Sequence, residues 1–200
     1  MTPASACDSS NHCYGGGYYS ASNDTRAGVR SDVTIFQHTI SSGFTADFVF
    51  AWLSSNNQID AGYLVGTVSW GGTAVPAGYA DGFNDGSYFH SQFACFPTVG
   101  SIQETWIKNK NVGWVPHVCG NDISGISPGL NGHDTAQPEA ETEIDNSGNG
   151  CRGDYDNLKF YNAASANWNL WDSGSVLYIP LTNNPMAVTE HSDYHFSTVC

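Results

Sequence analysis

The sequence predicts an all-β chain folded as a disulfide-stabilised antiparallel β-sandwich, and three observations carry that expectation. Gly, Asn or Ser interrupts windows of about 10 to 12 residues before a 3.6-residue hydrophobic period can establish itself. Strand-type segments recur between turn clusters such as SSNN, WGG, FNDG, NSGNG and TNN. Six cysteines, few lysines and abundant Gly, Ser, Asn and Tyr match the make-up of extracellular β-proteins.

In chain order, residues 1–25 read as a Gly- and Tyr-rich N-terminal arm. Its stretch NHCYGGGYYSASND is expected to be a loop braced by Cys7 and Cys13. Residues 26–200 read as a single sandwich domain, beginning with a candidate strand at 26–39. Strands at 46–53 and 58–68 follow, parted by SSNN. WGG ends the second of these, and FNDG introduces a strand at 87–96. Shorter candidates lie at 104–108 and 113–119, before a long loop, GNDISGISPGLNGHD. The last three are 137–144, closed by NSGNG, then 157–161 and 176–181, closed by TNN. Short strands at this spacing suit a sandwich or open barrel.

Charge narrows the function. Six Lys and Arg against nineteen Asp and Glu leave a net charge of −13, which argues against nucleic acid or an anionic membrane as partner. No stretch approaches the roughly 20 apolar residues of a membrane span. MTPASACDSS has no apolar signal core, so the expectation is a secreted protein whose signal peptide is removed or replaced by an initiator Met. The cysteines contain no CxxC pair and no zinc-type Cys/His spacing. Disulfides are expected instead; of the possible pairings, Cys7 with Cys13, Cys95 with Cys119 and Cys151 with Cys200 are each plausible. No cofactor or metal is expected. EHSDYH, with Glu190, His191, Asp193 and His195, lacks a third ligand motif, and there is no phosphate loop or GxSxG.

The stretch NQIDAGYLVG, residues 57–66, contains the one charged side chain between Asp47 and Asp81. Burying that carboxylate, Asp60, costs several kcal/mol unless it is paired, hydrogen-bonded or kept neutral. Period-2 alternation places Gln58 and Asp60 on one strand face, and Glu139, Glu141 and Glu143 together on another strand. Carboxyls from two such strands meeting on one sheet face would form a dyad holding a single proton. A structural Asp60 and a solvated EAETE edge are the competing readings. Trp52, just before the Asp60 strand, is expected to wall a groove, and NWNLW offers Trp168 and Trp171 as platforms for sugar rings.

NQIDAGYLVG, preceded by FVFAWLSS and followed by YADGFNDGSYFHSQFACF, resembles the neprosin family of glutamic peptidases. In that family a Trp-bearing strand leads into Asn-x-Ile-acid-Ala-Gly-aromatic. AQPEAETEI, residues 136–144, resembles its second motif, where Ala-Gln stands four residues before the second catalytic Glu, which matches Glu141. Through DYDNLKFYN and the last aromatic-Cys segment the resemblance spans residues 26–200. It implies a sandwich of strongly curved sheets, similar to the eqolisin peptidases and concanavalin-like lectins. It also implies an acid endopeptidase acting on polypeptides, proline-containing ones among them. Glu141 would be the general base and Asp60 the protonated partner that stabilises the oxyanion, with Trp52, Gln58 and Tyr63 lining the groove.

Two departures stand out. The family has Glu, or Gln in related branches, where this chain has Asp60, shorter by about 1.5 Å. Pro138 and Glu139 replace less charged neighbours, which leaves Glu139 or Glu143 as alternative acids. The alternative function is a catalytically silent relative: a carbohydrate- or protein-binding module, or a subunit of an extracellular assembly.

Overall fold

The computed structural model describes residues 12–20, 26–66, 74–92, 95–110, 113–123, 133–145, 149–172, 175–178 and 186–200. They form two antiparallel sheets. The strands, in chain order, are β1 (Cys13–Tyr19), β2 (Arg26–Thr34), β3 (Phe44–Ser54), β4 (Asn57–Gly66), β5 (Ala77–Asn84), β6 (Ser87–Gln92), β7 (Ile102–Asn109) and β8 (Trp114–Val118). β9 (Asn121–Asp122), β10 (Gln137–Ile144), β11 (Arg152–Asn162), β12 (Asn167–Leu170), β13 (Ser175–Tyr178), β14 (Ala187–Ser192) and β15 (His195–Val199) complete the set. One sheet runs β13-β1-β10-β3-β4-β5-β6; the other runs β14-β15-β11-β2-β7-β8-β9, with β12 paired to β11. No helix among the described residues is long and apolar enough to cross a membrane.

Alternation assigns the faces. Val49 and Ala51 of β3 and Ile59, Ala61 and Tyr63 of β4 point between the sheets, where they meet Val29, Ile107, Trp114, Tyr155 and Phe196 of the opposite layer. The intervening residues Phe44, Ala46, Phe48, Leu64 and Tyr79 form a second apolar cluster on the outer face of the first sheet. β3 is therefore buried on both faces along most of its length, which is why it reads as the near-continuous apolar run FVFAWL.

Three expectations need correction. Cys13–Tyr19, read as part of a loop-like arm, is a strand hydrogen-bonded between β10 and β13. Its glycines permit close packing rather than a loop: a Cβ on Gly16 would lie 2.6 Å from the Glu141 Cβ. AGYADGFN, where no strand was expected, is β5. It forms a hairpin with β6 through Asp85 and Gly86, whose φ values of 49° and 78° make the Asp-Gly turn that matches strand twist. The C-terminal region also holds more strand than expected, with β14 and β15 forming a hairpin against β11.

Cys95 pairs with Cys119 and Cys151 with Cys200. Cys13 is disulfide-bonded. Its expected partner, Cys7, lies outside the described residues.

Candidate active site

The outer face of the first sheet carries a cavity of about 550 Å³, and strand register explains its contents. One cross-strand row runs Gly16, Glu141, Phe48, Gly62, Tyr79. The next runs Tyr18, Glu139, Phe50, Asp60, Asp81, His90. A Cβ on Gly62 would come within 2.6 Å of the Phe48 Cβ. The two glycines thus leave the Glu141 and Phe48 side chains unobstructed from either flank. Aromatic rings form the floor, and four carboxyls, those of Asp60, Asp81, Glu141 and Glu143, project into the cavity.

Asp60 is half-buried in the cavity wall. Its Oδ1 accepts the Asp81 N–H at 3.1 Å, and its carboxyl faces that of Asp81 across the strand pair. Desolvation, reinforced by the charge and hydrogen bond of Asp81 and by the charge of Glu143, raises its pKa well above the usual Asp range. The backbone N–H works weakly the other way. Asp81 is itself gripped: its Oδ2 accepts the Tyr88 hydroxyl at 2.8 Å and faces His90 Nδ1 at 3.1 Å. Burial followed by the charges of Asp60, Asp81 and Glu143 pushes the Tyr79 phenol up, so it stays neutral.

Glu143 also titrates above its ordinary value because burial outweighs the opposing effect of His12. His12 Nδ1 lies 2.5 Å from Glu143 Oε1, and its Nε2 lies 2.8 Å from Asp145 Oδ1. Glu141 is buried, and its backbone carbonyl accepts the Tyr155 hydroxyl, which anchors β10 to the opposite sheet.

The structure brings Asp60 and Glu141 into the same cavity, on β4 and β10 with β3 between them, one register row apart. Gln58 and Glu143 also line it. Trp52 shares the outer face of β3 but stands beyond the lining residues, 41% exposed and opposite Gln58. Glu139 likewise lies outside the lining, near Gln137 Nε2 at 3.2 Å. Tyr63 is a correction. The alternation that turns Gln58 and Asp60 into the cavity turns Tyr63 into the core, 3% exposed, with its hydroxyl accepting from Thr105 Oγ1 and the Cys119 N–H.

Of the proposed sugar platform, Trp171 is core, while Trp168 lies on the other sheet against Tyr161. In the EHSDYH segment His191 contacts Ser197 and His195 contacts Asp154. No group of three or more His, Cys, Asp or Glu among the described residues is placed to hold a metal.

Sequence reasoning missed Asp81, Tyr88, His90 and His12. The first three were signalled by the Asp85-Gly86 turn, because counting back from it by twos puts Phe83, Asp81 and Tyr79 on one face opposite Tyr88 and His90.

No protein-family model and no curated protein matches the sequence. Solved structures do match in shape, and what they share with this chain is an antiparallel β-sandwich fold. Scytalido-glutamic peptidase with a transition state analog inhibitor superposes with a TM-score of 0.61 at 8% identity, covering 94% of this chain and 97% of that one. The same peptidase with a peptide-based transition state analog gives 0.57 at 9% identity over the same shares. SCP-B, a member of the Eqolisin family of peptidases in complex with the tripeptide Ala-Ile-His, gives 0.55 at 8% identity, again over 94% and 97%. The likeness is one of fold.

Proposed function

We propose that the cavity is the active site of a glutamic-type peptidase that cleaves polypeptides in acid. Asp60 is the neutral hydrogen-bond donor, and Glu141 is the base. The observation that carries this reading is that β4 and β10 turn Asp60 and Glu141 into one cavity, where desolvation and the facing Asp81 raise the Asp60 pKa. The fold shared with peptidases, and the neprosin-like motifs around both residues, point the same way.

The spacing suits the chemistry. β10 and β4 are two strand intervals apart, about 9.5 Å between backbones. That leaves room above Phe48 and Phe50 for a water and a peptide carbonyl between a Glu and an Asp side chain. The water oxygen attacks the carbonyl carbon while its proton passes to Glu141. The oxyanion is stabilised by the Asp60 O–H, and Glu141 then returns the proton to the leaving nitrogen as the C–N bond breaks. Activity on the acid side requires an ionised Glu141. On the alkaline side it requires a protonated Asp60, and the upward shift of that group extends the working range toward neutrality. Disulfides agree with a secreted protein working in such surroundings.

The test is hydrolysis of an unfolded protein substrate between about pH 3 and pH 7, the range over which carboxyl pairs titrate. Glu141→Gln is expected to lose at least about 100-fold in kcat. Asp60→Ala is expected to be similarly impaired. Asp60→Asn retains a donor that does not titrate, so its residual activity should lack the alkaline limb. A folded wild type that leaves every substrate intact would overturn the enzyme reading. It would favour a binding groove whose exposed Phe83, Tyr88 and Trp52 hold a glycan or peptide.

A further inference from the structure

We propose that Asp81 is the positioning residue of this site: its carboxylate, clamped by Tyr88 and His90, orients the Asp60 carboxyl and assigns the proton they share to Asp60. The inference rests on the reading of the cavity just given, but its test does not depend on cleavage.

The geometry is asymmetric. Asp60 and Asp81 are direct partners across β4 and β5, with both side chains on the cavity face. Two facing carboxyls in a desolvated site hold one proton between them, and it resides on the group whose anion is less well solvated. The Oδ2 of Asp81 accepts the Tyr88 O–H and faces His90 Nδ1 at 3.1 Å. With the His90 proton on Nδ1, both groups donate to an Asp81 carboxylate. Asp60, by contrast, receives the Asp81 N–H on Oδ1 and otherwise faces further negative charge. Asp81 is therefore the better anion, and the proton goes to Asp60.

The clamp is rigid. Asp81 and His90 are partners across β5 and β6, whose register the Asp85-Gly86 turn sets. The His90 imidazole stacks on Tyr79 at 6.2 Å and on Tyr88 at 6.5 Å. The titratable groups that share the cavity with Asp60 are Asp81 and Tyr79 on β5, Tyr88 and His90 on β6, Glu141 and Glu143 on β10, Tyr14 on β1, and His12 just before it. Among the described residues the cavity lining contains no Lys or Arg.

Carboxyl-carbon NMR titration of Asp-labelled protein reads the proton directly, with the Asp60 resonance assigned by its loss in Asp60→Asn. Removing the facing charge in Asp81→Asn should lower the Asp60 midpoint by about one pH unit. Tyr88→Phe alters a side chain that is 51% exposed, so the fold tolerates it, and the loss of one donor should divide the titration amplitude between Asp60 and Asp81. In the hydrolysis assay the alkaline limb of Asp81→Asn should move down with the Asp60 midpoint. An Asp60 midpoint and amplitude unchanged in both variants would overturn the proposal, even if Asp81→Asn had lost activity. Shifted titrations in a protein that cleaves nothing would uphold Asp81 and overturn the peptidase reading instead.

Discussion

Asp47 and Asp60 sit on neighbouring strands and face opposite ways, and their surroundings could hardly differ more. Asp47 is 3% exposed between the sheets. Its Oδ1 accepts from Thr142 Oγ1 at 2.7 Å and from the Tyr155 hydroxyl at 3.3 Å, and its Oδ2 faces His38 Nε2 at 2.8 Å. Thr142 is bridged onward to Thr198 Oγ1 at 2.7 Å, so the network ties β3 and β10 to β11 and β15. Asp60 instead has Asp81 and Glu143 for company. Asp47 is buried and Asp60 half-buried, so both are largely withdrawn from water. What separates a structural carboxyl from a chemical one is whether its neighbours complete it or oppose it.

The isosteric change to Asn at each position should break this pair apart. Asp47→Asn places an amide donor against donors already aimed at the carboxylate and leaves His38, 7% exposed, without its carboxylate partner. The expected cost is about 3 kcal/mol in urea unfolding. Asp60→Asn removes a group that burial and like charge already oppose, and should change stability by less than about 1 kcal/mol at neutral pH, in either direction. Equal losses at the two positions would end the comparison.

A second, smaller effect lies in the pH dependence of stability. The folded pKa of Asp60 is raised above its unfolded value, so the stability linked to its proton is fully present below about pH 3.9 and is lost as pH rises through the folded value. Glu143, raised from 4.5, acts with the same sign. Unfolding free energy measured across this window should fall with rising pH more steeply in wild type than in Asp60→Asn. Parallel curves would mean that Asp60 titrates like an exposed carboxyl.

Much of this was legible before the fold was seen, and the reasons differ by residue. The sandwich was readable because turn clusters punctuate short apolar strands. Asp60 stood out because a lone charge in an apolar strand demands an explanation. Glu141, which the structure places in the cavity lining, was singled out by motif resemblance and alternation together. Asp81 was not found, since AGYADGFN is rich in residues with low strand propensity and forms a strand through pairing on both sides, which no local pattern records. The role of Asp47 was equally hidden. Its partners Thr142, Tyr155 and His38 come from β10, β11 and the loop after β2, so the network exists only once both sheets have closed.

Tyr63 supplies the smallest and cleanest separation of the two faces. It was expected in the groove on the strength of its nearness to Asp60, yet an odd-numbered step along β4 sends it inward. Tyr63→Phe removes a hydroxyl that accepts from Thr105 Oγ1 and from the Cys119 N–H, each at 3.3 Å, and should cost about 1 kcal/mol. Because the phenol is buried, its pKa is raised and it remains un-ionised in acid; its loss should leave the pH profile of hydrolysis untouched. Gln58→Ala, five residues earlier on the cavity face, should do the reverse, raising KM for peptide with little change in unfolding free energy. If Tyr63→Phe moved the pH profile, the two faces of β4 would be coupled through the strand, and the division between a completed core and an uncompleted cavity would have to be redrawn.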